Sequence, residues 1–191
     1  MPVGFDNDIE KSIAAMQNGG LILYPTDTIW GIGCDATNEK AVAAIYRLKK
    51  RADEKSMIIL VAEEKELPRY VTQADAKVFD YIKGIHKPTT VIYEGAINLA
   101  NNLVNKDGSI AIRIVKDDFC RELIRRFKKP IVSTSANISG YPPPSVYNDV
   151  DIVIKNGVDY IVQHRQDDLT PSAPSAIVKW NADGSLTIIR S

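Results

Sequence analysis

The chain has 191 residues, 45% of them hydrophobic and 25% charged, which is typical of a globular protein and predicts a single domain over residues 1–191. Its 24 basic residues balance 24 acidic ones, which argues against a protein that binds nucleic acid over its whole surface. No apolar run approaches the roughly 20 residues that span a bilayer, and the N-terminus lacks the apolar core of a signal peptide, so we expect a cytoplasmic protein without a membrane partner.

Apolar periodicity divides the first half of the chain into alternating helices and strands. Ile9, Ile13 and Met16 recur at helical spacing, and Gly19 and Gly20 follow as a helix stop. The elements predicted, in chain order, are a helix over residues 8–18, a strand over 21–24, a helix over 39–51, a strand over 57–62, a helix over 74–83 and a strand over 90–93.

The second half of the chain continues the alternation and ends in strands. The elements predicted are a strand over residues 110–115, a helix over 117–128, and strands over 130–133, 160–163, 175–180 and 186–190. The last two strands flank a hairpin turn at 181–184. This order predicts an α/β fold built on one twisted, mixed β-sheet flanked by helices.

Two polar loops each follow a predicted strand, where open α/β sheets bind their ligands. The first is PTDTIWG from Pro25, whose Thr26 and Thr28 hydroxyls could bind a small polar ligand; an ordinary turn explains it equally well. The second is STSANISG from Ser133, whose hydroxyls, amide and backbone N–H groups suit an anion. A capped loop without a ligand would have the same composition.

Two groups of cations are the other candidates. Lys49, Lys50, Arg51 and Lys55 fall close together and suit a polyphosphate, although basic residues in the last turn of a helix are more often solvated caps. Arg113 interrupts an apolar strand, and its guanidinium needs a partner if that strand is buried. The partner is either a ligand carboxylate or, in the more frequent case, a structural salt bridge.

The common nucleotide-binding motifs are missing from the sequence. There is no GxxxxGK[ST] phosphate loop, and Ala36 stands where the third glycine of a dinucleotide fingerprint belongs. Two histidines and two cysteines provide no metal-ligand set. The residues alone thus predict an α/β domain with a small-molecule site at strand ends, for a ligand that carries phosphate.

Taken in order, these loops and cations resemble the motifs of the YrdC-like family, whose pattern is PTETVYGLG, KxRxxxxPL, an AVR strand, SANxSG and a final ST-V segment. The matching segments are PTDTIWGIG from Pro25, KKRADEKSM from Lys49, AIR from Ala111, SANISG from Ser135 and PSAIV from Pro174. Each motif alone is weak, but their shared order and spacing make the resemblance specific.

The resemblance implies a nucleotidyltransferase with L-threonylcarbamoyladenylate synthase activity. Such an enzyme combines L-threonine, bicarbonate and ATP into threonylcarbamoyl-AMP and pyrophosphate, and a downstream transferase passes the group to an adenosine of tRNA. Mg²⁺ would accompany the triphosphate, held by phosphate oxygens and water. Two alternatives are a YciO-like paralogue and a module that binds double-stranded RNA weakly through the local cations, without synthase activity.

The resemblance also assigns residues to the two larger substrates. Those implied to bind ATP are Lys49, Arg51, Lys55, Ser109, Ser133, Ser135, Asn137 and Arg190, of which Lys49 and Arg51 are the catalytic candidates. Those implied to bind threonine are Thr28, Arg113 and Ser175, with Arg113 paired to the carboxylate. Leu60 departs from the family, which often has a histidine there that helps to enclose threonine. Pro143, Pro174 and the segment IHKPTT from Ile85 also depart from its pattern.

Overall fold

Helices and strands alternate along most of the computed structural model, which describes residues 4–50, 57–181 and 183–191. The helices are α1 (Asp6–Gln17), α2 (Glu39–Lys49), α3 (Ala76–Lys83), α4 (Asp118–Phe127) and α5 (Ile152–Asn156). The strands are β1 (Ile22–Tyr24), β2 (Gly31–Gly33), β3 (Ile58–Val61), β4 (Thr89–Tyr93), β5 (Ile110–Ile114), β6 (Ile131–Ser135), β7 (Tyr160–Ile161), β8 (Ala176–Trp180) and β9 (Leu186–Arg190).

The strands form one mixed sheet in the order β7-β1-β2-β6-β3-β5-β4-β8-β9. β1 and β7, β3 and β5, and β4 and β8 run parallel, whereas the other neighbours run antiparallel. The strands predicted to pair as a C-terminal hairpin do so, and Gly184 donates a 2.9 Å hydrogen bond to the carbonyl of Asn181 at the turn. The predicted α/β fold with a mixed sheet flanked by helices is confirmed.

One face of the sheet is covered by α2 and α3. Successive side chains of a strand point to opposite faces, and the residues on this face, which include Ile59, Ile112 and Val132, are buried in a single apolar cluster. Val42 and Ile45 of α2 and Val78 of α3 belong to the same cluster. Burial of this apolar area is the main force that holds these helices on the sheet.

The opposite face is covered only in part. Tyr24, Leu60 and Ile131 pack there against α1 and α4 in a second apolar cluster. Farther along the same face the register places Ser133 beside Ile58, and Ile58 beside Ala111. Polar side chains replace apolar ones in this uncovered part of the face, which forms the floor of the site described below.

Most predicted elements differ from the observed ones by a few residues at their ends, but two elements were missed. α5 has only five residues, too few to show a clear helical period. β2 carries glycine at both ends, which the sequence pattern assigned to a loop. Gly33 is required by close packing, because a Cβ there would lie 2.7 Å from Cε1 of Tyr24 and 2.9 Å from the carbonyl oxygen of Val132.

Replacement of Gly33 by alanine is expected to lower the free energy of unfolding by about 1–3 kcal/mol, because the added methyl group overpacks the space between β1 and β6. Urea unfolding followed by circular dichroism measures this change. Gly4→Ala is the control, since nothing lies within 4 Å of its Cβ position, and its effect should stay within about 0.5 kcal/mol. Equal unfolding midpoints for the two variants would contradict the packing explanation.

Among the described residues, no helix has the length and apolarity needed to cross a membrane.

Candidate functional site

A cleft of about 350 Å³ opens on the uncovered part of the sheet face. Its walls combine hydroxyl groups, two guanidinium groups and small apolar surfaces. The lining residues are Thr28, Ile29, Gly31, Met57, Ile58, Arg113, Ser133, Thr134, Ser135, Pro143, Pro174, Ser175, Ile177 and Arg190. Among the described residues this lining contains no carboxylate, so the cleft favours an anionic ligand.

The loop between β1 and β2 forms one wall through a chain of hydrogen bonds. The Thr26 hydroxyl donates to the carbonyl of Ile29 (2.8 Å) and accepts from the backbone N–H of Thr28 (3.0 Å). Since that hydroxyl has only one proton, its 2.9 Å contact with the hydroxyl of Thr28 has Thr28 as the donor. The Thr28 oxygen then accepts from Nη2 of Arg113 (3.3 Å), which fixes both side chains at the cleft.

Arg113 stands on β5 with only 3% of its surface exposed. Its Nη2 lies 3.1 Å from Oδ1 of Asp27, while its Nε has no hydrogen-bond partner in the described part of the chain. The sequence offered a structural salt bridge and a position at a ligand site as alternatives for Arg113. The structure shows both, since Arg113 pairs with Asp27 and also lines the cleft. A guanidinium with an unpaired donor in a cleft is suited to bind a carboxylate.

The wall opposite Thr28 is built by β4, β8 and β9. The hydroxyl of Ser175 lies 2.9 Å from that of Thr90, and Nε of Arg190 donates to the carbonyl of Ser175 (2.9 Å). Burial lowers the pKa of Arg190, and the guanidinium of Arg113 lowers it further. Both cations line the same cleft, where an anion would relieve their repulsion.

The loop after β6 is anchored by Lys49 from the end of α2. Lys49 is almost fully buried, and its Nζ donates to the backbone carbonyls of Ser135 and Asn137, the latter at 2.6 Å. The N–H of Ser139 returns a 2.8 Å hydrogen bond to the carbonyl of Lys49. The interpretation of Lys49 as a solvated cap is wrong, because its ammonium group is buried and donates hydrogen bonds to backbone carbonyls.

Asn137 closes the same loop. Its Nδ2 donates to the carbonyl of Tyr141 at 2.6 Å, and its Oδ1 is buried without a hydrogen-bond partner among the described residues. Ser133 lies in the middle of β6 and Ser135 at its end, and both line the cleft. Lys49 thus holds from behind the loop that follows these two serines.

The sequence-derived site residues fall into four groups. Thr28, Arg113, Ser133, Ser135, Ser175 and Arg190 all line the cleft. Lys49 and Asn137 hold the loop behind it. Ser109 lies outside the lining at the start of β5, where its hydroxyl donates to Asp107 (2.6 Å) and thereby lowers the pKa of that carboxyl group. Arg51 and Lys55 lie outside the described residues.

Three residues at or next to the site were not singled out from the sequence. Thr90 supports Ser175, Asp27 pairs with Arg113, and Arg165 contacts the loop through a 3.4 Å hydrogen bond from Nη1 to the carbonyl of Thr26. Asp27 lies between two threonines inside a recognised motif, so its acidic side chain could have been identified from the sequence as a site candidate. Leu60 is fully buried under α4 and is not part of the lining.

Within the described residues, no group of three or more histidine, cysteine or acidic side chains is placed to hold a metal ion. The cleft itself offers hydroxyls and cations, whereas Mg²⁺ prefers carboxylate and phosphate oxygens. The described side chains of the cleft therefore do not fit a resident Mg²⁺ ion.

The mixed sheet and the cationic cleft on its open face define an α/β protein with a site suited to a small anionic ligand. The family model described as Sua5_yciO_yrdC, Telomere recombination, matches residues 14–191. The chain belongs to this family, which confirms the resemblance drawn from the motifs.

Curated relatives in this family share about a third of their residues with the chain. A threonylcarbamoyl-AMP synthase of Photobacterium profundum is 33% identical over 150 residues, which cover 75% of this chain and 80% of the relative. A threonylcarbamoyl-AMP synthase of Stenotrophomonas maltophilia is 32% identical over 169 residues, which cover 87% and 91%.

Solved structures share the fold at lower identity. E. coli YciO matches with a TM-score of 0.83 at 21% identity and covers 97% of this chain and 89% of its own. P. abyssi Sua5 complexed with L-threonine has the same TM-score and identity and covers 95% of this chain. This chain spans about half of the length of that Sua5 protein, with 53% matched.

Proposed function

We propose that this chain is an L-threonylcarbamoyladenylate synthase, a nucleotidyltransferase that uses L-threonine, bicarbonate and ATP. The observation that carries the proposal is the cleft that joins Arg113 and Arg190 to the hydroxyls of both strand-end loops. Two cations in a cleft whose described lining has no carboxylate suit the carboxylate of an amino acid and the phosphates of a nucleotide. The names of the curated relatives support the same reaction.

The site divides into two halves in this proposal. Arg113, Thr28 and Ser175 bind threonine, with the unpaired donor of Arg113 directed to its carboxylate. The ATP half is formed by Ser133, Ser135, Asn137, Ser109, Arg190, Lys49, Arg51 and Lys55. The two halves meet in one cleft, so the threonine amine and the α-phosphate can be held close together.

The reaction needs positioning and charge more than a covalent nucleophile. The threonine amine and bicarbonate form a carbamate and water, and a carbamate oxygen attacks the α-phosphorus as pyrophosphate leaves. Cations around the phosphates stabilise the charge that develops on the leaving group. Lys49 contributes by holding the loop that carries Ser135, and Arg51 by its charge.

Three finer points belong to the proposal. Mg²⁺ enters with the triphosphate, which supplies most of its ligands together with water. The adenylate product is consumed by a transferase that acylates an adenosine of tRNA. Both steps take place in the cytoplasm.

The test is release of pyrophosphate from ATP by the purified protein. We expect release only when threonine and bicarbonate are both present, and formation of threonylcarbamoyl-AMP in equal amount by mass spectrometry. Serine in place of threonine controls for side-chain selectivity, and bicarbonate-depleted buffer controls for the carbon source.

Other outcomes would favour other functions. Release that is the same with and without threonine would contradict the synthase and favour a YciO-like activity on a different acyl group. Binding of double-stranded RNA that weakens steeply with salt, without any pyrophosphate release, would favour the RNA-binding module.

A further inference from the structure

Asp27 carries a buried carboxylate that the proposed division of the site leaves unused. Its side chain is 10% exposed and lines a smaller hollow of about 190 Å³, which shares Thr28 with the cleft. Within the described residues, neither of its oxygens accepts a hydrogen bond. A carboxylate so far out of water is costly unless a cation or donor satisfies it.

Arg113 satisfies Asp27 only in part. The 3.1 Å contact joins one oxygen to one nitrogen, whereas a purely structural arginine–carboxylate pair is often a two-pronged fork with two parallel hydrogen bonds. Thr28 already fixes the same Nη2 of Arg113. Within the described residues, the pair can therefore form further hydrogen bonds, because Asp27 has a free acceptor and Arg113 has a free donor at Nε.

We propose that Asp27 binds the α-ammonium group of the amino acid whose carboxylate Arg113 holds. This inference rests on the proposed function and adds a residue that selects the substrate class. The ammonium and carboxylate of an α-amino acid are attached to one carbon, so they require a protein anion and a protein cation side by side. Asp27 and Arg113 supply that pair 3.1 Å apart, and Thr28 lines both the cleft that contains Arg113 and the hollow that contains Asp27.

The experiment compares two ligands that differ at this one group. L-threonine and the 2,3-dihydroxybutanoate of the same configuration, which carries a hydroxyl in place of the ammonium, are titrated calorimetrically into the protein. We expect the protein to prefer threonine by on the order of 10–100-fold, the worth of a charged hydrogen bond. Asp27→Asn should weaken threonine binding by a similar factor and dihydroxybutanoate binding less than about threefold.

A matched control is Asp168→Asn. The carboxylate of Asp168 already accepts a 2.9 Å hydrogen bond from the N–H of Thr170, so this variant should keep the preference for threonine. Thermal unfolding of each variant checks that it is folded, and dihydroxybutanoate binding to Asp27→Asn reports whether Arg113 is still in place.

The outcomes separate this inference from the proposed function. If Asp27→Asn lowers the affinities for threonine and dihydroxybutanoate equally, Asp27 only orients Arg113 and the inference is overturned. Unchanged affinities for both ligands would also overturn it. No preference for threonine in the unmodified protein would also overturn it. Pyrophosphate release by the unmodified protein tests the synthase by itself, whatever the ratio of the two affinities.

Discussion

Replacement of Arg113 by alanine is expected to lower kcat/KM for threonine by about 100-fold or more, while the Kd for ATP changes less than about threefold. The loss follows from removal of the cation that binds the threonine carboxylate, and truncation of one member of a buried charged pair costs several kcal/mol. Pyrophosphate release at varied threonine gives kcat/KM, and fluorescence titration with a labelled ATP analogue gives the Kd.

Arg113→Ala leaves Asp27 buried without its ion pair, which lowers the stability of the protein. The experiment therefore needs variants that separate a loss of stability from a loss of threonine binding. Arg113→Lys keeps the charge and should remain folded, yet it loses the planar donor geometry and should still weaken threonine binding. Arg125→Ala removes an exposed guanidinium that pairs with Glu63 (2.6 Å) and should leave kcat/KM unchanged. Parallel loss of threonine and ATP binding in Arg113→Lys would refute the division of the cleft into two halves.

Replacement of Lys49 by methionine is expected to lower the free energy of unfolding by about 2–4 kcal/mol and to abolish most of the activity. Methionine fills similar space but leaves the carbonyls of Ser135 and Asn137 without their donor, at about 1–3 kcal/mol for each buried group. Urea unfolding gives the change in stability, and the ATP analogue titration should show weaker binding because Ser135 is displaced.

The neighbouring lysine provides the comparison. Lys50 is exposed at the C-terminal cap of α2, so Lys50→Met should change the unfolding free energy by less than about 0.5 kcal/mol. An unfolding midpoint of Lys49→Met equal to that of Lys50→Met would show that the loop does not depend on Lys49.

The apolar periodicity of the sequence predicted most of the helices and strands, because each of these elements buries one face with its own repeat. It failed at β2, where a glycine that looks like a loop residue is instead required by the close approach of Tyr24 and Val132. The failure has a physical cause, since the reason for that glycine lies on neighbouring strands and not in the adjacent sequence.

The site shows the same limit. The motifs identified most of the cleft, but the position of Lys49 depends on carbonyl groups more than 80 residues away in sequence, and nothing next to Lys49 reveals them. Asp27 was overlooked because its partner Arg113 is equally remote. Leu60 was expected to affect the threonine pocket, whereas α1 and α4 cover it in the apolar cluster on the same sheet face as the cleft.

The position of Arg190 on β9 has a consequence for the local stability of the site. Among the described strands β9 lies at one edge of the sheet and pairs with β8, so the second cation of the cleft stands on an edge hairpin. Peeling of this hairpin is a local route by which the site could lose its ligands without global unfolding.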